Sequence, residues 1–298
     1  MKFSDTKKAY ACIAYTTIVF ATMEIVCKMI PEYSPLGMSF LRFFIGALIL
    51  LPFALVEMKK RELKFKMDDH IFFLVTGIIG IAISMSFYQT SLQHTSASLV
   101  AVLFGANPIF TAPLAVIVTK EKVSPLKIAS LIVCVVGMIF IFNPFGLAAD
   151  AYGMLLALIS AVTFSVYTVM GKKRIARYGG LLMSTFSFLY GTIVLLIGML
   201  ITGTPIIGGI TAEYIPHVIY IAVVITGLGY LCYFTSMKYV PVTTSSMVFL
   251  IKPALSTILS LIILREIPTW NAAVGIILIV LASVAQMFEG KIMAKVKK

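Results

Sequence analysis

"SFYQTSLQHTSASLVAVLFGANPIFTAPLAVIVTKE", residues 86–121, lies without a gap over "LCYFTSMKYVPVTTSSMVFLIKPALSTILSLIILRE", residues 231–266, when the chain is shifted on itself by 145 residues. Tyr88 meets Tyr233, Thr90 meets Thr235, Ser91 meets Ser236, Pro108 meets Pro253 and Glu121 meets Glu266. Nearer the start, "AYACIA" (9–14) lies over "AYGMLL" (151–156) at an offset of 142, so a short insertion or deletion intervenes. A fixed offset held over so long a stretch marks an internal duplication.

The duplicated unit is apolar. The 298 residues are 60% hydrophobic and 12% charged, with a mean hydropathy of +1.03. A soluble domain is about half apolar and carries about twice that charge. Apolar runs long enough to cross a bilayer recur along the whole chain. Ten spans are expected, roughly 8–30, 35–57, 71–92, 96–119, 125–143, 151–171, 181–203, 214–237, 242–264 and 270–288. Linkers such as "PEYSP", "QHTS", "YGG" and "EIPT" carry turn residues. Backbone in lipid must satisfy its own hydrogen bonds, so the spans are helices. The basic start (Lys7, Lys8) lacks a small-residue cleavage site, and the run behind it counts as the first span.

Five spans per repeat is an odd number, so the second copy enters the membrane upside down. The expectation is an all-α membrane protein of ten transmembrane helices in two inverted five-helix repeats, residues 1–145 and 146–298. That architecture places a substrate site near the midplane, between the repeats, in transporters. With the N-terminus cytoplasmic, 20 lysines and arginines fall in inside segments, Arg265 alone falls outside, and Lys28, Arg42 and Lys252 lie within spans. The split orients both termini to the cytoplasm. It also explains the net charge of +12: the positives face anionic lipid, and no nucleic-acid partner is expected.

Within the spans the candidate site residues are few. Glu24 is the one acid well inside a span, with Lys28 one turn on. A mid-helix charge costs about 2.5–3.5 kcal/mol on insertion scales, and an i,i+4 pair returns only about 0.2–0.5 kcal/mol. Further partners are therefore expected, with Lys252 and Arg42 as third and fourth members. Three cations against one carboxylate would favour a substrate bearing a carboxylate or phosphate. The plainer alternative lets Lys28 and Arg42 snorkel to the interface and leaves Glu24–Lys252 as a structural bridge. Pro108 and Pro253 occupy matching places in the two halves, each behind a polar residue, Asn107 or Lys252. Matched helix breaks in inverted halves point to a binding site. Phe20, Tyr88, Phe164, Tyr167, Tyr230, Tyr233 and Phe234 are candidate cavity walls. Glu121 and Glu266 are expected to be caps.

These motifs resemble the EamA-type branch of the drug/metabolite transporter superfamily. "FATMEIVCK" and "SPLGMSFLRFFIGALILLP" (within 20–52) are similar to that family's first two helices, with Lys28 and Arg42 on its Lys and Arg positions. Phe20 and Ala21 replace its usual Trp and Gly, and "TKEKVSP" and "LREIPTW" resemble its Gly-Glu helix endings with Lys120 or Arg265 in place of Gly. The resemblance implies secondary transport of small metabolites, often amino-acid export, with relatives handling nucleotide sugars, choline or toxic cations. Glu24 departs from the family pattern and parallels the membrane glutamate of small multidrug-resistance proteins, which makes protons a candidate coupling ion. The substrate-site set is thus Glu24, Lys28, Arg42, Tyr88, Asn107, Tyr233 and Lys252, in a monomer without cofactor or metal.

Other classes fit less well. His70, His94 and His217 lie at span edges or in linkers, and no HExxH, GxSxG or paired-acid motif is present. No filter repeat or charge ring suggests a channel. The four cysteines, Cys12, Cys27, Cys134 and Cys232, lie inside apolar runs without metal-ligand spacing, as small core residues do.

Overall fold

The computed structural model describes residues 3–30, 33–120, 124–142, 151–246 and 248–287, and these contain helices and no strand. The helices are α1 (Phe3–Ala21), α2 (Met23–Lys28), α3 (Pro35–Lys60), α4 (Met67–Gly77), α5 (Ser84–His94), α6 (Ala97–Gly105) and α7 (Asn107–Thr119). They continue with α8 (Pro125–Phe142), α9 (Ala151–Thr202), α10 (Ile215–Ile219), α11 (Tyr230–Tyr239), α12 (Val242–Ser245), α13 (Val248–Leu259) and α14 (Trp270–Met287). Among the described residues six helical segments are long and apolar enough to cross a membrane, and three shorter apolar helices accompany them. The outward faces are apolar as well as the core: Ile18, Phe53, Ile117, Ile201 and Ile262 are all exposed. An apolar exterior of this extent suits lipid rather than water.

Local signals set the helix ends. Ser34 caps α3 by accepting from the Gly37 amide at 3.2 Å, and Pro35 occupies the first turn, where its missing N–H costs nothing. Ser96 caps α6 in the same way through Leu99. The Glu266 carboxylate, from the other end of the sequence, also accepts from Ala97 and Ser98 at 3.2 and 3.4 Å. The expected cap role of Glu266 is therefore met across the two repeats, while Glu121 lies outside the described residues. Lys120 and Arg265, 145 residues apart, end α7 and the π-helical turn after α13 in the same left-handed conformation, φ 55° and 56°. The duplication is thus visible in backbone geometry as well as in sequence.

The helices are interrupted at several positions. Thr22 separates α1 from α2, and Ala106 separates α6 from α7. π-helical stretches run through Ile78–Ile83 and Tyr220–Gly229; such stretches loosen the helical ladder and recur at functional sites. Gly179, at φ 70°, interrupts the 52-residue α9. The two matched prolines differ. Pro108 sits just behind the break at Ala106, whereas α13 runs straight through Pro253. The expectation of matching breaks at both prolines is corrected in the second half: there α12 ends at Ser245, with Ser246 as its cap, ahead of the proline. Pro253 leaves the Phe249 carbonyl without its helical donor, and Gly105 packs directly on that carbonyl. A Cβ at residue 105 would stand 2.6 Å from the oxygen.

Small and hydroxylic residues hold the bundle together, as in other membrane helices. Thr76 pairs with Ser187 at 3.0 Å, and Ser84 donates to the Ser160 carbonyl at 2.8 Å. An aromatic core fills the centre, with the Phe164 ring 5.2 Å from Phe104 and 5.3 Å from Phe249. Cys27 and Cys134 are buried, as expected of small core residues. Cys12 and Cys232 are half-buried and hydrogen-bonded to one another across α1 and α11.

Candidate functional site

The break at Thr22 builds the site. Its hydroxyl turns back to the Val19 carbonyl at 2.8 Å and pairs with Tyr220 at 3.0 Å. α2 then starts afresh, with Glu24 in its first turn and fully buried. The Glu24 carboxylate is met by Lys252 from α13, itself only 2% exposed, in an ion pair with a hydrogen bond. Ser256, one turn further along α13, donates to the second carboxylate oxygen at 3.4 Å. Lys252 also reaches the Tyr88 hydroxyl at 3.4 Å. Its ammonium lies 5.4 Å from the Tyr88 ring and 5.3 Å from the Phe104 ring, a distance at which aromatic faces attract cations.

Arg42, from α3, faces the same space. It is completely buried, and its guanidinium stacks 4.5 Å over Phe43 and 5.9 Å from Tyr88. Nη1 contacts the Met23 sulfur at 2.9 Å, but Nε and Nη2 have no hydrogen-bond partner. A buried unpaired donor costs about 1–3 kcal/mol, more when charged, so the two on one guanidinium make Arg42 a candidate ligand contact. Arg42, Lys252 and Tyr88 line one pocket, walled on its apolar sides by Phe20, Met23, Met85, Phe104 and Tyr230. Its free space is ≈ 240 Å³, of which only ≈ 10 Å³ is wide enough to seat a water.

A larger cavity of ≈ 500 Å³ lies at the end of the bundle beside the loop holding Pro205, Gly208 and Gly209. Lys28, Cys27, Tyr33 and Gln93 line it. α2 is the wall between the two spaces: Met23 faces the pocket, and Cys27, one turn on, faces the vestibule. Tyr33 donates to buried Gln89 at 2.9 Å, and Gln89 donates to the Cys27 sulfur at 3.7 Å. These bonds close the space beside Tyr88. The opposite end of the bundle is tied by charge. Asp69 of α4 accepts from Arg177 at 2.7 Å and from Tyr178 at 2.5 Å. Arg61 bonds the carbonyls of Tyr178 and Arg177. Lys172 bonds the carbonyls of Met237 and Val240 at 2.7 and 2.9 Å.

Comparison with known proteins meets this geometry directly. The EamA-like transporter family model matches residues 7–143 and again 151–287. The chain belongs to the EamA-like transporter family. An uncharacterized transporter of Clostridium kluyveri is 40% identical over 301 residues, covering 98% of this chain and 97% of that one. The Bacillus subtilis uncharacterized transporter YvbV is 28% identical over 283 residues, covering 94% and 92%. A solved structure described only as a crystal structure of a protein superposes with a TM-score of 0.72 at 18% identity, over 98% of this chain and 99% of that one. It shows the fold alone. The chain is thus an integral membrane transporter of the EamA kind.

Against this EamA frame the site residues separate into groups. Glu24, Arg42, Tyr88 and Lys252 converge. Arg42 does not snorkel to the interface; it is one of the largest fully buried side chains. Lys28 stands in the vestibule, half-buried, apart from the pocket. Asn107 does not join: its amide donates to the Ala161 carbonyl at 3.0 Å and Ser165 at 2.7 Å, and its oxygen accepts from Thr111. Tyr233 also stands apart, its hydroxyl 3.4 Å from Thr168 and 3.3 Å from Ser246. Both act as interhelical glue. Met23, Met85, Gln89 and Ser256 were not expected at the site. Lys252 and Ser256 are one turn apart, so helical spacing from the charged residues carried a signal for one of the four, Ser256.

Proposed function

We propose that this chain is a secondary transporter exporting small polar metabolites that carry a carboxylate, amino acids among them, across the cytoplasmic membrane. It works by alternating access around the Arg42–Lys252 pocket, between two inverted five-helix repeats, residues 1–145 and 146–298. The observation that carries this reading is the pair of unpartnered Arg42 donors in the pocket that Lys252 also lines. Ten spans agree with the interruption of α9 at Gly179 and with the shorter apolar helices. The wide vestibule on one side and the charge-tied end on the other fit a carrier shut at the tied end, with α2 walling the pocket off from the vestibule. Glu24 holds Lys252 in place through their buried ion pair.

Purified protein in liposomes preloaded with amino and organic acids tests the reading. A carrier gives saturable counterflow that Lys252→Met abolishes. Flux that never saturates would indicate a channel, and no flux from any acid would remove the carboxylate-carrier reading. The aromatic walls favour a second reading, carriage of organic cations. Saturable uptake of a quaternary amine, with none of the acids moving, would establish it instead.

A further inference from the structure

We infer that the pocket selects a ligand of net charge −1, a carboxylate without an ammonium, so that its substrates are monocarboxylic organic acids rather than zwitterions. This rests on the transport reading and narrows it. Glu24 and Lys252 sum to zero wherever the proton lies in the bond between them. Arg42 stays charged, because a guanidinium is not deprotonated in proteins. Among the described residues, no other ionised side chain lines the pocket, and Lys28 stands one turn away in the vestibule. The closed pocket therefore holds one uncompensated positive charge with little room for water, a costly arrangement until a partner arrives.

The unpartnered edge of Arg42 names the group. Nε and Nη2 lie on one edge of the guanidinium, and that edge takes a carboxylate through two parallel hydrogen bonds. A zwitterion fills the same edge but brings an ammonium, and Glu24 is already engaged by Lys252 and Ser256. Its net charge of zero leaves the pocket positive. A phosphate monoester brings about −1.5 to −2 and overshoots. The remaining walls, Phe20, Met23, Met85, Phe104 and Tyr230, suit an aliphatic or aromatic remainder.

Thermal stabilisation of the purified full chain reads the preference, using matched probes on one skeleton. These are lactate and phenyllactate, alanine and phenylalanine, alaninamide, and glycerol phosphate. The anions should stabilise saturably, with at least about tenfold tighter half-saturation than the zwitterions, whose ammonium enters a buried site with no free acceptor. Arg42→Gln should remove the anion effect, and Arg42→Lys, which keeps charge but not the fork, should recover only part of it. Zwitterions binding as well as anions, or no saturable effect from either anion, would overturn the charge assignment. Counterflow separates this from the transport reading: alanine moving as fast as lactate sinks the selectivity and leaves the carrier, whereas lactate binding without any flux sinks the carrier.

Discussion

Glu24 and Lys252 come from positions 228 residues apart and are almost inaccessible to solvent. Removing one partner leaves the other buried and unpaired, which costs about 3–5 kcal/mol. Lys252→Met should therefore lower thermal stability by that amount, and Glu24→Gln should do likewise. The double variant should recover most of the loss, because a neutral pair of similar size carries no orphan charge. Unfolding midpoints of the four proteins check this; losses that simply add would mean the two side chains do not interact. Transport should stay absent in the double variant. The pair was legible in the sequence because a lone mid-span acid demands a partner. The choice of Lys252 over Lys28 was not: Glu24 and Lys28 share one turn of α2, yet Lys28 points to the vestibule. Asn107 and Lys252 are equivalent by the repeat, and so are Tyr88 and Tyr233. Only one of each pair reaches the pocket, because helix rotation rather than sequence position decides the face.

At the level of elements, the repeat shows most clearly where helices end. Lys120 and Arg265 adopt a left-handed conformation that disfavours side chains with a Cβ. Arg265→Gly should therefore raise stability by about 0.5–1 kcal/mol, measured by thermal unfolding; a loss would show that the arginine side chain outweighs its backbone strain. The contact between α6 and α13 works the other way. Gly105 has no room for a methyl group against the Phe249 carbonyl, so Gly105→Ala should cost about 1–3 kcal/mol through overpacking. An unchanged midpoint would mean the two helices can separate freely. The sequence pointed to Pro253 as a break and the helix runs through it. What the sequence did not announce is the long-range contact of α6 on this turn, where only a glycine at 105 leaves room for the Pro253 ring and the Phe249 carbonyl.

The molecule as a whole has a basic, charge-tied end and, at the other end, the vestibule of ≈ 500 Å³. The basic segments around Arg61, Lys172 and Arg177 ring the end tied through Asp69, and the vestibule opens beside Gly208. The lysine and arginine distribution made this polarity legible, since charge in short loops fixes orientation. The closed state of the tied end was not legible, because Asp69, Arg177 and Tyr178 meet only after α4 and α9 pack. A cysteine at Gly208 should react with an impermeant thiol reagent in intact cells, and one at exposed Lys173 should not; the reverse pattern would invert the topology, while a cysteine at buried Gly171 should stay silent from either side. Asp69 then becomes a test of alternating access. It is buried, and it joins α4 to two residues next to the Gly179 interruption of α9. Asp69→Ala removes the acceptor that holds Arg177 and Tyr178, and so destabilises the state closed at that end relative to one open there. The population should shift, with the Gly171 cysteine gaining reactivity in inside-out vesicles while the Gly208 cysteine loses it in intact cells. Reciprocal change at both sites is what a single rocking motion requires. Increased reactivity at Gly171 with Gly208 unaffected would mean that the basic end frays on its own and that its charge network is a clasp rather than a gate.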